Sequence, residues 1–161
     1  PNPVLFFEHK KLYRSLRASV PSKASYEPLG KAKIRREGDD ATIITYGMGV
    51  QWAHAIASEY EQKEYSLEVL DLRTLLPLDK EAIKKTVRKT GKVLLLQEPS
   101  LTLGPLSELA AIITEECFEC LDAPVIRCAS LDMPIPHNKM PENEFMANHK
   151  LSAKLQQLLA Y

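Results

Sequence analysis

The chain has 161 residues, 45% hydrophobic and 26% charged, the size of one ordinary globular domain with an appendage and enough to bury a sizeable core. Lys plus Arg and Asp plus Glu both number 21, so no long-range field favours nucleic acid or an anionic membrane surface, and neither is an expected partner. No apolar run approaches the roughly 20 residues of a membrane span, and the three cysteines, Cys117, Cys120 and Cys128, form an odd set that reads as free thiols of a reducing compartment.

Residues 1–14 read as the end of a domain whose beginning lies outside the chain. There is no initiator Met, and the apolar run Val4-Leu5-Phe6-Phe7 suits a buried strand yet leads into a basic segment and a Pro-punctuated connector, not a crossover helix. Residues 20–30 have the Pro, Ser and Gly content of a linker, which divides the chain into a tail and linker over residues 1–28 and a domain over residues 29–161. In that domain a polar strand is expected at residues 32–36, a turn at Gly38-Asp39-Asp40 and a buried β-branched strand at residues 41–46. Ala53, Ile56, Ala57 and Tyr60 share one face of a helix over residues 50–63, before a strand at residues 67–72. Asp79 stands as N-cap and Gly91 as the residue past the end of a short basic helix over residues 80–90. Val93-Leu94-Leu95-Leu96 is apolar without alternation, the pattern of a central parallel strand covered on both faces. Pro105 opens the next helix, with Leu106, Leu109, Ala110, Ile113, Cys117, Cys120 and Leu121 as its buried stripe. Residues 125–129 form the last strand. A Pro-rich loop over residues 132–141 then leads to a closing helix with Leu151, Leu155, Leu158 and Leu159 on one side.

Strands alternating with helices specify an α/β fold, a mostly parallel sheet between two helix layers joined by right-handed crossovers. Ligands of such sheets collect beyond the carboxyl ends of the strands. Here that edge gathers Tyr46-Gly47, Arg73-Thr74, Gln97-Glu98 and residues 130–132, with the helix N-termini after Gly49, Asp79 and Gly104. Glu98 is the carboxylate best placed there, and it equally suits a loop cap or a partner for a neighbouring Arg. Gly47-Met48-Gly49 resembles the start of a dinucleotide motif, but Trp52 stands where the third glycine would allow close helix packing, so a tight strand-to-helix turn is the expectation. Cys117-Phe118-Glu119-Cys120 has redox spacing, yet it ends a helix, where the dipole disfavours a thiolate, and core packing of at least one thiol is expected. His9, His54, His137 and His149 show no mutual metal spacing and none joins a nucleophile elbow.

Residues 4–14 (Val-Leu-Phe-Phe-Glu-His-Lys-Lys-Leu-Tyr-Arg), Leu29-Gly30-Lys31-Ala32 with Arg36-Glu37-Gly38-Asp39, residues 71–79 (Asp-Leu-Arg-Thr-Leu-Leu-Pro-Leu-Asp) and Leu121-Asp122-Ala123-Pro124-Val125 together resemble the β subunit of thiamine-dependent 2-oxo acid dehydrogenases. Nearly the whole chain is covered. Glu115-Glu116-Cys117-Phe118, the Asp132-x-Pro134-x-Pro136-His137 run and a chain end at Tyr161 are more similar to the branched-chain (2-oxoisovalerate) enzyme than to the pyruvate one. The resemblance implies that residues 1–28 are the tail of a pyrimidine-binding domain and a linker, and that residues 29–161 are a transketolase-type C-terminal domain. It implies a three-layer α/β/α sandwich with a five-stranded mixed sheet whose first strand, residues 32–36, is antiparallel. Thiamine diphosphate and magnesium are implied for the intact enzyme, between its α-type and middle β domains. Neither the Gly-Asp-Gly motif nor the cofactor-activating glutamate is visible in this sequence, so no cofactor, metal or decarboxylation is expected of the chain alone. The family commonly has His-Glu after the central strand and Thr-Gly-Gly-Phe before the next helix. Gln97-Glu98 and Thr102-Leu103-Gly104-Pro105 stand here instead, which excludes an imidazole at position 97 and puts a Cβ where a glycine is usual.

The expected function is that of an assembly domain in the decarboxylating component of a branched-chain 2-oxo acid dehydrogenase complex. No residue is expected to be catalytic; Glu98, Gly104 and His137 are candidates for the ligand-facing edge or entrance. Implied partners are the α-type and middle β-type domains, a symmetry-related β domain and the subunit-binding domain of the acyltransferase, for which the carboxylate at Tyr161 is the candidate acceptor. The implied compartment is the bacterial cytoplasm, or the mitochondrial matrix in a eukaryote. The alternatives are a small-anion-binding regulatory module at the helix N-terminus by Gly104, or the same domain from a pyruvate dehydrogenase or a transketolase-type enzyme.

Overall fold

A computed structural model of the chain describes residues 2–20, 22–23 and 26–161, without the side chains of residues 139–141. Five strands build one sheet: β1 (Lys33–Arg36), β2 (Ala41–Thr45), β3 (Leu67–Asp71), β4 (Val93–Ser100) and β5 (Ile126–Ser130), in the order β1-β3-β2-β4-β5. β1 runs antiparallel to β3 at one edge and the other four are parallel, as the resemblance implies.

The parallel strands are apolar on both faces because helices cover both. Ile43 lies opposite Val69 on β3 and Leu94 on β4, while its neighbour Ile44 lies opposite Leu70 and Leu95, so successive residues serve different cores. The Ile43 face packs on α2 (Gly49–Glu61) through Ala53, Ile56, Ala57 and Tyr60. It packs also on α6 (Ala147–Leu159) through Ala147, Leu151, Leu155 and Leu158. The Ile44 face packs on α3 (Lys80–Thr90) and α4 (Pro105–Cys117) through Ile83, Val87, Leu106, Leu109 and Ile113. The result is a three-layer α/β/α sandwich.

Local signals set the helix ends. Asp79 accepts a hydrogen bond from the N–H of Ala82 at the start of α3, and Gly91, at φ +64°, takes the left-handed conformation that ends it. α4 stops earlier than its apolar stripe suggests. At Cys117 the backbone leaves the helical region (φ −134°, ψ 14°) and Phe118–Cys120 form a 3₁₀ turn, so Cys117 is buried while Cys120 is only half-buried. The closing helix is two helices, α5 (Lys139–Phe145) and α6, separated where Met146 adopts an extended conformation. Pro141 falls in the first turn of α5, where its missing N–H costs no intrahelical bond.

The run Val4-Leu5-Phe6-Phe7 is not a strand. Its side chains are 72–89% exposed, and it leads to a single helical turn, α1 (Leu12–Ser15). A strand needs a ladder partner for its backbone groups, and residues 4–7 have none among the described residues; Phe6 and Phe7 instead face Gly47, Val50 and His54 beyond the strand ends.

The crossover from β3 through α3 to β4 passes β2, so the chain leaves β2 and β4 in opposite directions. Between them lies the switch point of the sheet, where the carboxyl ends of β2 and β4 bring Tyr46-Gly47 beside Gln97-Glu98.

Candidate functional site at the strand ends

The end of β4 is held by Gln97. Its buried amide donates from Nε2 to the carbonyl of Ser100 at 2.6 Å and accepts, through Oε1, the N–H of Leu106 at 2.9 Å. Leu106 is the second residue of α4, so Gln97 satisfies one of the orphan donors that every helix start exposes. A Cβ at Gly104 would overlap Gln97 Nε2 and lie 2.6 Å from the carbonyl oxygen of Ser100, which explains a glycine there although its φ of −68° is open to any residue. An anion at this helix N-terminus would compete with Gln97 for the Leu106 N–H.

Glu98 lies beside Gln97 and meets His9, whose Nε2 is 2.7 Å from Glu98 Oε2 across 89 residues of sequence. Tyr46 is half-buried next to this pair; burial, and then the Glu98 charge, push its phenol pKa up. The pair fastens the N-terminal segment over the switch point. His9 Nδ1 has no protein partner.

On the β3 side, Asp71 accepts from Arg35 Nε at 2.9 Å and Nη2 at 2.8 Å through one oxygen and from the N–H of Arg73 at 3.0 Å through the other. The nonapeptide 71–79 then stitches the domain entrance to the sheet. Thr74 Oγ1 accepts from the N–H of Gly30 and donates to the carbonyl of Pro77, and Asp79 accepts from the N–H of Ala32 in addition to capping α3. His54 on α2 shares a hollow of about 700 Å³ with Arg35, Asp71 and Arg73. Burial first, then the charges of Arg36 and Arg35, lower its pKa below the ordinary histidine value.

On the β5 side, Asp132 accepts from the N–H and the hydroxyl of Thr102 at 2.9 and 2.6 Å, and these bonds hold its carboxyl below the usual range. Leu103, next in that loop, is 96% exposed and has φ +56°, the left-handed region that a glycine accepts without cost.

Glu98 and Gly104 therefore flank one loop system. His137 is exposed in the segment before α5 and forms no hydrogen bond to either among the described residues. Tyr161 lies elsewhere, lining an apolar hollow of about 1010 Å³ with Phe118, Ala110, Leu121 and Val125. Of the Cys117-x-x-Cys120 pair, Cys117 is buried, and burial raises its thiol pKa, the reverse of what a reactive thiolate requires. Sequence reasoning missed His9 as the partner of Glu98, since the two are 89 residues apart and no local pattern links them. Gln97, Glu98, Asp71 and Asp132 each hold a loop or chain segment through these bonds, while His9 Nδ1, Thr45 Oγ1 and Ser130 Oγ have no partner among the described residues.

Residues 30–151 match the family described as transketolase, C-terminal domain. The chain belongs to that family. It is 46% identical over 162 residues, 99% of its own length, to the 2-oxoisovalerate dehydrogenase subunit beta of Bacillus subtilis, covering 50% of that protein. It is 42% identical over 149 residues, 92% of its length, to the pyruvate dehydrogenase E1 component subunit beta of the same organism, covering 46% of it. The chain thus spans about half the length of the curated relatives it matches. Among solved structures, a split-gene transketolase, described as an inactive β4 tetramer, superposes with a TM-score of 0.73 at 25% identity over 90% of this chain and 46% of that one.

Two outcomes follow for this edge. Leu103→Gly should raise stability by about 0.5–1 kcal/mol, because relief of a left-handed leucine, about 1–2 kcal/mol, exceeds the added freedom of glycine in the unfolded chain. Urea unfolding checks it, and a lower midpoint in the variant would mean the loop is not strained. For His54 the folded pKa is depressed, so the unfolded chain takes up the proton first; stability present above about pH 6.5 declines as pH falls and levels off once the folded imidazole is also protonated. Asp132, Glu37 and Glu116, all lowered, lose their contributions only below about pH 4. His54→Gln should therefore lose less stability than the unmodified chain between pH 7 and 5; equal losses would remove His54 from that dependence.

Proposed function

We propose that this chain is the C-terminal domain, with the tail of the preceding domain and a linker, of the β subunit or β-type half of a branched-chain 2-oxo acid dehydrogenase. The observation that carries this reading is the 46% identity over 99% of the chain to the 2-oxoisovalerate relative, against 42% over 92% for the pyruvate one. In this reading residues 1–28 belong to the pyrimidine-binding domain and the linker after it, and residues 29–161 form the assembly domain. Two features of the surface support an assembly role: four successive apolar side chains at positions 4–7 that are 72–89% exposed, and the apolar hollow beside Phe118 and Tyr161. The first suits the body of the preceding domain and the α-type domain. The second suits a symmetry-related β domain or the subunit-binding domain of the acyltransferase.

The residues present do not fit thiamine diphosphate and magnesium. The one Gly-Asp pair, Gly38-Asp39, lies in the turn between β1 and β2, at the opposite end of the sheet from the strand-end crevice, where the N–H of Asp39 bonds the carbonyl of Ser66 and the Asp40 carboxylate accepts the N–H of Ser66. Among the described residues no three His, Cys, Asp or Glu side chains are arranged to hold a metal. The cofactor is assigned to domains outside this chain, and no step of the reaction is routed through the residues described above.

The test is made on the intact enzyme containing this chain. Its kcat/KM should favour 3-methyl-2-oxobutanoate over pyruvate by about tenfold or more, a transition-state preference of about 1.4 kcal/mol. The reverse preference would assign the chain to a pyruvate dehydrogenase. In the same enzyme Phe118→Asp should weaken association with the acyltransferase subunit-binding domain or between β subunits without changing the fold; unchanged association by both measures would take the hollow out of the assembly surface.

A further inference from the structure

Residues 2–20 meet the rest of the domain through one polar contact. Among the described residues His9 with Glu98 is the one hydrogen bond or ion pair between them, with Nε2 at 2.7 Å from Oε2. The other polar contacts of the segment are its own: the N–H of Leu12 bonds the carbonyl of His9 at the start of α1, and the Tyr13 hydroxyl donates to the Glu8 carboxylate. His9 Nδ1 is enclosed and has no partner in the protein, so the ring is seated in the edge. The next tie along the chain, among the described residues, is Glu27, whose carboxylate meets Arg73 at 3.0 Å.

These two ties set the slack of the chain. At about 3.3 Å per residue the backbone from Val4 to Glu27 can extend about 75 Å, whereas from Val4 to His9 it can extend only about 17 Å. The exposed apolar run at positions 4–7 lies within that short reach. A body joined to the chain at residue 4 is therefore kept beside the strand ends while the His9–Glu98 bond holds. Effective concentration falls roughly as the −3/2 power of tether length, so a tether shortened about fourfold raises it by roughly tenfold.

We propose that Glu98 is a positioning residue: by holding His9 it keeps the end of the preceding domain at the strand-end edge and so sets the spacing between that domain and this one. The inference rests on the reading above, in which residues 1–28 are the tail of that domain and a linker. It gives the carboxylate a part in the reaction without contact to substrate or cofactor, because Glu98 acts through His9. Gln97 beside it has no such freedom, since both ends of its amide already hold the loop before α4.

Two measurements test it. Trp52 is the single tryptophan and shares a hollow of about 250 Å³ with Lys11 of the segment, so acrylamide quenching of its fluorescence in the full chain reports release of that segment. His9→Ala and Glu98→Ala should each raise the quenching constant, and the double variant should raise it no further than either one. Both side chains are partly exposed, 27% and 38%, so these variants keep the fold. Quenching equal to that of the unmodified chain in all three would overturn the latch. In the intact enzyme, assayed with whichever 2-oxo acid it prefers, each single variant should lower kcat about three- to tenfold and change KM by less than about twofold. The exchange of His9→Glu with Glu98→His should recover most of the loss. Unchanged kcat in the single variants, or losses that multiply in the double alanine variant, would overturn the positioning role. An unmodified intact enzyme that oxidises no 2-oxo acid would contradict the reading beneath the inference and remove the role with it, whatever the quenching in the chain.

Discussion

The buried amide of Gln97 is the contact on which the strand-end edge depends. A central strand must hand its chain to the next helix without leaving backbone groups unpaired in a dry interior. Gln97 solves this with one side chain: its donor takes the carbonyl of Ser100, the last residue of β4, and its acceptor takes the N–H of Leu106 at the start of α4. The loop is thereby drawn close enough that position 104 has no room for a Cβ. An imidazole at position 97 would offer one donor and one acceptor as well, but on a rigid ring with different spacing.

The neighbouring contacts follow the same logic. Glu98 takes His9, Asp71 takes Arg35 and the N–H of Arg73, Asp79 takes Ala82 and Ala32, and Asp132 takes Thr102. Each carboxylate sits at the end of a strand or the start of a helix and spends itself on holding a loop. These carboxylates tie the loops of the edge together, while His9 Nδ1, Thr45 Oγ1 and Ser130 Oγ stay without a partner among the described residues. Exposed apolar residues lie at positions 4–7, at Phe118 and Tyr161, and in the loop of the edge itself at Leu103.

Much of the fold was legible where its cause is local. Asp79 and Gly91 bracket α3 because a carboxylate cap and a left-handed glycine act within a few residues, and the unbroken apolar run at 93–96 marks a doubly covered strand by composition alone. The antiparallel direction of β1 came only from the family resemblance, since strand direction leaves no trace in a four-residue polar segment. Where the cause is distant, sequence reasoning fell short. The stripe of α4 continues through Cys120 and Leu121 on paper, but the backbone turns off at Cys117. Residues 4–7 have the composition of a strand and, among the described residues, no partner with which to be one. The meeting of His9 with Glu98 joins positions 89 apart, and no spacing rule predicts it.

The central claim, that the strand-end edge is closed by its own side chains, is tested most directly by amide hydrogen exchange at Leu106. The account predicts a slowly exchanging Leu106 N–H in the unmodified chain and selective loss of that protection in Gln97→Ala, with the amides of β2 and β4 unchanged. A Leu106 amide that already exchanges at the unprotected rate, or one that keeps its protection without the Gln97 amide, would contradict it.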